Sequence, residues 1–411
     1  MVLASLTVVL YGCVVFTAVI LFLVLVLQFS SSKLMPQGNV HIEINGDESK
    51  SFTARQGQTL LSTLMDQKIL LPSACGGGGT CAMCRCQVLE GGGDLLPTEK
   101  GHLSREEQKG NWRLACQLKV KKDMKLEIEE SIFGIKSWEC TVRSNNNVAT
   151  FIKEFVVELP KGEVMDFQAG GYIQIDIPKY ELDYKNFDIE EQYREDWEKF
   201  GLFDLRAKNT EEVFRAYSMA NHPAEAGMIM LNVRIASPPP GLDVAPGIAS
   251  SYIFNLKPGD KVNISGSFGE FFMKDTEREI VFIGGGAGMA PMRSHIFDLF
   301  QTKRSSRKAT FFYGARSRRE MFYDEDFKQI EDEFPNFKYV PALSDPLPED
   351  NWQGPVGFIH QVALERYLSE HESPEDIEYY LCGPPMMNSA VQDMLDNLGV
   401  DQNMIAFDDF G

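Results

Sequence analysis

From Met1 to Phe29 the chain carries no charged side chain and is dense in Leu, Val, Ile and Phe. At about 1.5 Å per helical residue such a run crosses a ~30 Å hydrocarbon core, so the pattern predicts a transmembrane helix over residues 1–30. It lacks the basic leader and small-residue cleavage site of a removable signal. Lys33 is the first charge, which places the rest of the chain on the cytoplasmic side by the positive-inside rule. Further on, period-2 stretches at 139–143, 148–159 and 171–177, separated by turn residues, predict a small antiparallel barrel within 134–275. Residues 178–209 interrupt it with a polar stretch rich in Asp, Glu, Lys, Tyr and Phe and longer than a hairpin needs, which looks like an inserted loop or helix and is read either as a solvated excursion without function or as a docking surface for a partner protein. From residue 276 the period changes: an apolar strand at 279–283 enters a glycine turn, and strands at 309–313, 337–342 and 378–381 alternate with helices. That alternation predicts an α/β domain over 276–411. Residues 31–133 remain for a separate, smaller domain.

Composition narrows the partners. With 40 basic against 59 acidic side chains the net charge is −19, which excludes nucleic acid as the expected ligand. Five of the eight cysteines fall between positions 75 and 116, a density that in a reducing compartment indicates metal rather than disulfides. Cys75, Cys81, Cys84 and Cys116 stand as C-x5-C-x2-C followed by a distant fourth, with Gly76, Gly77, Gly78, Gly79 and Thr80 filling the first gap. A glycine run lets backbone wrap an inorganic core and aim N–H groups at sulfur, so the spacing reads as a [2Fe-2S] site. The competing reading is structural zinc, but zinc modules usually carry two short Cys pairs and only Cys81 and Cys84 form one. Cys86 is surplus and is expected as a packed thiol on the following strand. These cysteines, with Trp112-Arg113-Leu114-Ala115-Cys116-Gln117, resemble ferredoxins over about residues 36–130, which implies an α+β, β-grasp-like fold for the domain over 31–133. The five-residue first gap departs from the plant-type four.

Three further segments, Phe167-Gln168-Ala169-Gly170-Gly171-Tyr172, Arg215-Ala216-Tyr217-Ser218-Met219-Ala220-Asn221 and Pro246-Gly247-Ile248-Ala249-Ser250-Ser251-Tyr252, resemble the flavin domain of ferredoxin-NADP reductases. The resemblance implies FAD, with Tyr217 and Ser218 at the ring system, Arg215 at the diphosphate, Asn221 closing the motif, and Gly247, Ser250 and Ser251 supplying phosphate donors. The turn from Gly284 to Ser294 is similar to the GGGxGxxPxxS loop of the same family, so Gly284, Gly285, Gly286, Gly288 and Pro291 are expected to hold a nicotinamide dinucleotide. Cys382-Gly383-Pro384 ends a later strand, where the family places nicotinamide. Cys382 reads as a nucleophile or as a soft side chain beside that ring, and the lack of an adjacent His to activate it favours the second. Arg316, with Arg318 and Arg319, either binds a 2′-phosphate or forms a solvated charge run; NADH is expected on family grounds. Phe410 is expected either to cover the flavin until nicotinamide displaces it or to pack as an ordinary tail. Ser218, Cys382 and Phe410 thus form the expected catalytic set, and His222 is expected at the surface beside Pro223.

Taken in order, the parts are membrane helix, [2Fe-2S] ferredoxin, FAD barrel and NADH-binding α/β domain. The anchor, the cysteine gap and the insertion together resemble the family of F subunits of the sodium-translocating NADH:quinone oxidoreductases. That resemblance implies hydride transfer from NADH to FAD, then single electrons to the cluster and on to other subunits of an inner-membrane complex, with quinone reached indirectly. An alternative with the same domains is a membrane-anchored reductase serving a hydroxylase or oxygenase. A scaffold protein with degenerate cofactor folds would show broken motifs, and these are intact. The apolar run has no intramembrane carboxylate, so sodium passage is expected in partner subunits.

Overall fold

A computed structural model describes residues 11–12, 14–26, 38–239, 241–242 and 244–408. Residues 11–12 and 14–26 are helical and exposed, and among the described residues no helix is long and apolar enough to cross a membrane. The rest of the expected membrane helix lies outside the described residues. Two compact units make up the chain, Met1–Leu71 with Gly77–Phe133, and Pro72–Gly76 with Gly134–Gly411.

The first unit is built on a five-stranded sheet in the order β2-β1-β5-β3-β4: β1 (Asn39–Ile44), β2 (Asp47–Arg55), β3 (Arg85–Glu90), β4 (Trp112–Leu114) and β5 (Met124–Glu127). β1 runs parallel to β5 and antiparallel to β2, while β3 is antiparallel to both β4 and β5, a β-grasp arrangement. In β1, strict alternation turns Val40, Ile42 and Ile44 inward, each removed from water at a gain of about 1.5–3 kcal/mol. Helix α1 (Leu60–Asp66) is capped by Thr59, whose hydroxyl accepts from the Ser62 N–H, and it buries Leu60, Leu61 and Leu64.

The second unit begins with a six-stranded antiparallel sheet ordered β11-β8-β13-β6-β7-β12. Its strands are β6 (Lys136–Ala149), β7 (Ile152–Glu158), β8 (Tyr172–Ile177), β11 (Val213–Ser218), β12 (Met228–Arg234) and β13 (Lys261–Phe268). A bridge between Met219 and Leu231 brings its two edges together, as the barrel reading expects. The strand expected over 148–159 is broken at Thr150 and Phe151, where the chain turns from β6 into β7.

The insertion carries the helix that its sequence allowed, and it mixes exposed with buried residues. It folds as a two-stranded ribbon, β9 (Tyr180–Asp183) with β10 (Arg206–Asn209), around helix α2 (Glu191–Lys199). Tyr184, Phe187, Tyr193 and Trp197 are buried in the same apolar core as the barrel strands, and the Trp197 indole N–H donates to the Thr150 carbonyl at 2.8 Å. Trp197 also stacks on Phe254, ring centroids 5.9 Å apart. Phe254 belongs to helix α3 (Ile248–Asn255). The sequence misleads here because acidic residues on the outer face of α2 hide a short aromatic set.

The remainder is a wholly parallel sheet ordered β16-β15-β14-β17-β18: β14 (Ile280–Gly285), β15 (Ala309–Ala315), β16 (Phe337–Leu343), β17 (Glu378–Cys382) and β18 (Ile405–Asp408). Helices α4 (Met289–Phe297), α5 (Asp324–Glu333), α6 (Ile359–Arg366) and α7 (Pro385–Asn397) cross between these strands. Both faces are covered, so every residue of β14 and β17 is buried. The strand order reverses direction at β14, and an open α/β sheet places its ligand at the carboxyl end of such a strand.

Candidate functional site

In the first unit the cysteine loop rests on α1. The N–H groups of Leu60 and Leu61 donate to the Leu118 and Ala115 carbonyls at 2.7 and 3.0 Å, and the Ala115 N–H donates to the Cys84 carbonyl at 2.9 Å. Cys84 and Cys116 are buried and Cys81 is half-buried. The Cys84 thiol hydrogen-bonds with Cys116; that bond, burial, and the nearby thiols Cys116 and Cys81 push its pKa far above the ordinary thiol range. A buried thiol so placed stays protonated unless positive charge joins it, which fits a metal-ligating role for Cys84. The three thiols are neighbours rather than a closed shell, and among the described residues no group of three or more His, Cys, Asp or Glu side chains forms a ready cage for a metal ion. Cys75 is half-buried and lies on the stretch Pro72–Gly76 that groups with the second unit. Cys86 is a buried thiol on β3, as expected, with burial pushing its pKa up to about 12.

Beside Cys116 the sequence conceals a buried ion pair. Glu99, fully buried, meets the Arg113 guanidinium at 2.6 Å and accepts the Leu114 N–H at 2.9 Å and the Leu96 N–H at 2.9 Å. Burial alone raises the Glu99 pKa, but the bonds from Arg113, Leu96 and Leu114 outweigh it and hold it below the usual carboxylate range. Arg113 also donates to the Gly92 carbonyl, so one pair fastens the 92–99 loop to the strand leading into Cys116.

The expected flavin residues lie at the end of β11 and the start of α3. Arg215 is half-buried and its guanidinium donates to the Phe214 carbonyl at 2.7 Å. Tyr217 is half-buried, with desolvation raising its hydroxyl pKa well above the ordinary value. Asn221 is fully buried, its amide donating to the Met228 carbonyl at 3.0 Å and accepting from the Met230 N–H at 2.9 Å, so it shapes the turn after the motif. No side chain caps α3. Its first-turn N–H groups are therefore available to an anion. Gly247 opens the turn, donating to the Ala236 carbonyl at 2.8 Å, while the Ser250 and Ser251 hydroxyls both reach the Gly247 carbonyl, at 3.3 and 2.6 Å. An uncapped helix start behind a glycine turn fits a diphosphate. Ser218 donates to the Asp408 carboxylate at 2.6 Å, joining the last strand of the sheet to the flavin motif. Sequence reading passed over Asp408, a partner 190 positions away with no local signal.

At the carboxyl end of β14 the glycine turn is forced by contact. A Cβ on Gly288 would stand 2.0 Å from the Cys382 carbonyl oxygen, so only glycine lets the start of α4 approach β17. Gly284 pairs with Cys382 across the sheet, Gly285 ends β14, Gly286 follows it, Pro291 lies in the first turn of α4, and Gly383 and Pro384 link β17 to α7. Cys382 is fully buried. Arg316 is exposed and pairs with Asp345 at 3.2 Å; Arg319 pairs with Asp196 of α2, and the Arg318 N–H donates to Asp350 at 3.1 Å. Phe410 lies outside the described residues.

A clamp fixes α4 to the barrel. Arg293 grips Glu225 with two bonds of 2.8 Å and donates to the Ala220 carbonyl at 2.9 Å, while the Ser294 hydroxyl donates to the Asn221 carbonyl at 2.8 Å. His222, expected at the surface, is instead buried with its ring 3.1 Å from Glu225. The Pro223 beside it misled because proline marks a turn without deciding which side of the turn packs. Burial opposes the charge on Glu225, but the Arg293 and His222 bonds outweigh it and hold its carboxyl well below the usual range.

Residues 42–121 match the family model described as a 2Fe-2S iron-sulfur cluster binding domain. Residues 200–273 match the oxidoreductase FAD-binding domain and 282–393 the oxidoreductase NAD-binding domain. The chain is similar to the F subunit of the Na(+)-translocating NADH-quinone reductase of Idiomarina loihiensis, 57% identical over 401 residues that cover 97% of this chain and 98% of that protein. It is 58% identical over 401 residues to the Yersinia enterocolitica protein of the same name, with the same coverage. Among solved structures it resembles the Amycolatopsis cytochrome P450 reductase GcoB, at 24% identity and a TM-score of 0.62 over 90% of this chain and 98% of that one. The ferredoxin reductase in carbazole 1,9a-dioxygenase is similar at 25% identity and a TM-score of 0.59, covering 91% and 99% of the two chains.

Proposed function

The chain belongs to the family of F subunits of the Na(+)-translocating NADH-quinone reductases, and from that premise we propose that it is the NADH-oxidising electron-input component of a membrane sodium-pumping complex. The observation that carries this reading is the order of three cofactor domains, [2Fe-2S], FAD and NAD, in a chain that aligns with its relatives over 97% of its length. When bound, FAD accepts a hydride from NADH and yields its electrons singly to the [2Fe-2S] cluster. The protein's part is placement.

Arg215 and the α3 turn with Gly247, Ser250 and Ser251 bind the FAD diphosphate. Tyr217 supports the ring, and Ser218, held by Asp408, presents its hydroxyl at the ring's polar edge. Gly284, Gly285, Gly286, Gly288 and Pro291 seat the NADH phosphates; Cys382, Gly383 and Pro384 border the nicotinamide, and Phe410, by the family resemblance, covers the flavin until nicotinamide displaces it. NADH rather than NADPH fits the guanidinium inventory, because Arg316 and Arg319 already face Asp345 and Asp196. Cys75, Cys81, Cys84 and Cys116 ligate the cluster. The domains run 31–133, 134–275 and 276–411, and the uncharged run 1–30 anchors them to the cytoplasmic face of the bacterial inner membrane as a single-pass helix. Other subunits of the complex take the electrons onward to quinone.

Anaerobic titration of the purified full chain with NADH, followed by absorption and electron paramagnetic resonance, tests the pathway. Bleached flavin together with a reduced [2Fe-2S] signal is expected. An iron-free protein whose flavin is nonetheless reduced would assign the four cysteines to zinc or to packing.

A further inference from the structure

The glycine loop and the turn after Cys116 meet at one side chain the electron path has not used. The Gln117 amide nitrogen stands 3.5 Å from the Cys116 sulfur, within hydrogen-bonding range for a sulfur acceptor. The turn holds it there: the Gln117 and Leu118 N–H groups both donate to the Leu114 carbonyl, at 2.9 and 3.1 Å, while the first turn of α1 grips Ala115 and Leu118 from behind. Opposite, a Cβ on Gly79 would stand 2.4 Å from the same amide nitrogen, and Gly79 has a φ of +82° that only glycine adopts freely. A side chain at 79 would take the amide's place. Gly79 is therefore empty on the side where Gln117 points.

We infer that Gln117 is a positioning residue for the iron–sulfur centre, whose amide donates to the Cys116 thiolate and sets the reduction potential of the site. The inference rests on the cluster reading above. The step concerned is a one-electron transfer in which no bond breaks and no proton moves; the electron leaves the reduced flavin and the thiolate-ligated centre becomes one unit more negative. A fixed N–H dipole at a ligand sulfur favours the more negative state, so Gln117 raises the potential and draws electrons out of the flavin. Nothing in the cysteine spacing signals this, because the donor is a neutral side chain next to a ligand.

The test is a potentiometric titration of the full-length holoprotein, read by the reduced-cluster paramagnetic signal, for wild type, Gln117→Leu and Gln117→Glu. Resonance Raman spectra of the iron–sulfur stretches, recorded in light and heavy water, accompany it. Gln117→Leu is expected to keep the visible cluster spectrum, to lose part of the solvent-isotope shift, and to lower the potential by about a tenfold change in the reduced-to-oxidised ratio, about 59 mV for one electron. Gln117→Glu replaces the donor with a negative charge and is expected to lower it further. If Gln117→Leu does not load iron, Gln117→Glu decides alone. An unchanged potential with an unchanged isotope shift in a loaded variant overturns the inference while leaving the electron pathway standing. Failure of both variants to load, with wild type loaded, also overturns it, by making Gln117 an assembly residue. Iron-free wild type overturns the cluster reading itself.

Discussion

Two glycine runs, one proposed to wrap the iron–sulfur cluster and the other to seat NADH, are glycine for different reasons. At Gly288 the added atom would strike backbone, the Cys382 carbonyl of a strand buried on both faces. At Gly79 it would strike the far end of a flexible side chain. Backbone in a parallel sheet has nowhere to go, whereas an amide swings away at the cost of one hydrogen bond. Identical composition thus hides a hard requirement at one loop and a soft one at the other.

The comparison can be pressed by substitution. Cys84→Ala should remove the cluster's visible absorption entirely while flavin reduction by NADH continues; loss of both would mean that the loop supports more than its own unit. Gly288→Ala should leave the cluster reducible by dithionite but slow NADH-driven flavin reduction about a hundredfold, the scale of a 1 Å misplacement, in stopped-flow traces. Near-normal rates would show that this crossing can relax after all. Glu225→Gln removes one partner of the clamp that holds α4, and should cost about 2 kcal/mol in urea denaturation once the partial solvent contact of the pair is allowed for. The sign with pH is fixed by the lowered Glu225 pKa: the wild type's advantage is complete above the ordinary carboxylate range and shrinks as the pH falls below it, while the variant lacks this dependence. Gly285→Ala comes nearest the flexible Met387 side chain, its sulfur at 2.9 Å, with the Gly314 carbonyl oxygen next at 3.4 Å, and should raise the KM for NADH a few-fold with little loss of kcat. Smallest of all, Gly79→Ala should keep the cluster loaded and cost about 1 kcal/mol of backbone strain, seen as a modest fall in melting temperature.

The three cofactor domains were legible because most of the motifs that mark them are local. Cys75, Cys81 and Cys84, the Arg215-to-Asn221 motif and the Gly284-to-Ser294 turn each sit in one short stretch, with Cys116 the one distant member, and the parallel strands read as apolar runs because both their faces are covered. What stayed hidden is paired over distance. Ser218 finds Asp408, Arg293 finds Glu225, and Glu99 finds Arg113, joins that no periodicity announces. The packing of the insertion stayed hidden for a related reason. Its acidic face dominated the reading, while Tyr184 and Trp197 are too few to make a period yet enough to fill a core.

That insertion has a thermodynamic consequence. Trp197 and Phe187 lie against Phe254 on α3, the helix whose start is proposed to carry the FAD diphosphate. Holding α3 in place and binding FAD are then linked equilibria, so whatever stabilises one must stabilise the other by the same free energy. Cofactor retention becomes a remote readout of aromatic packing, and a substitution such as Trp197→Ala should appear first as a yellow protein that bleaches on dilution.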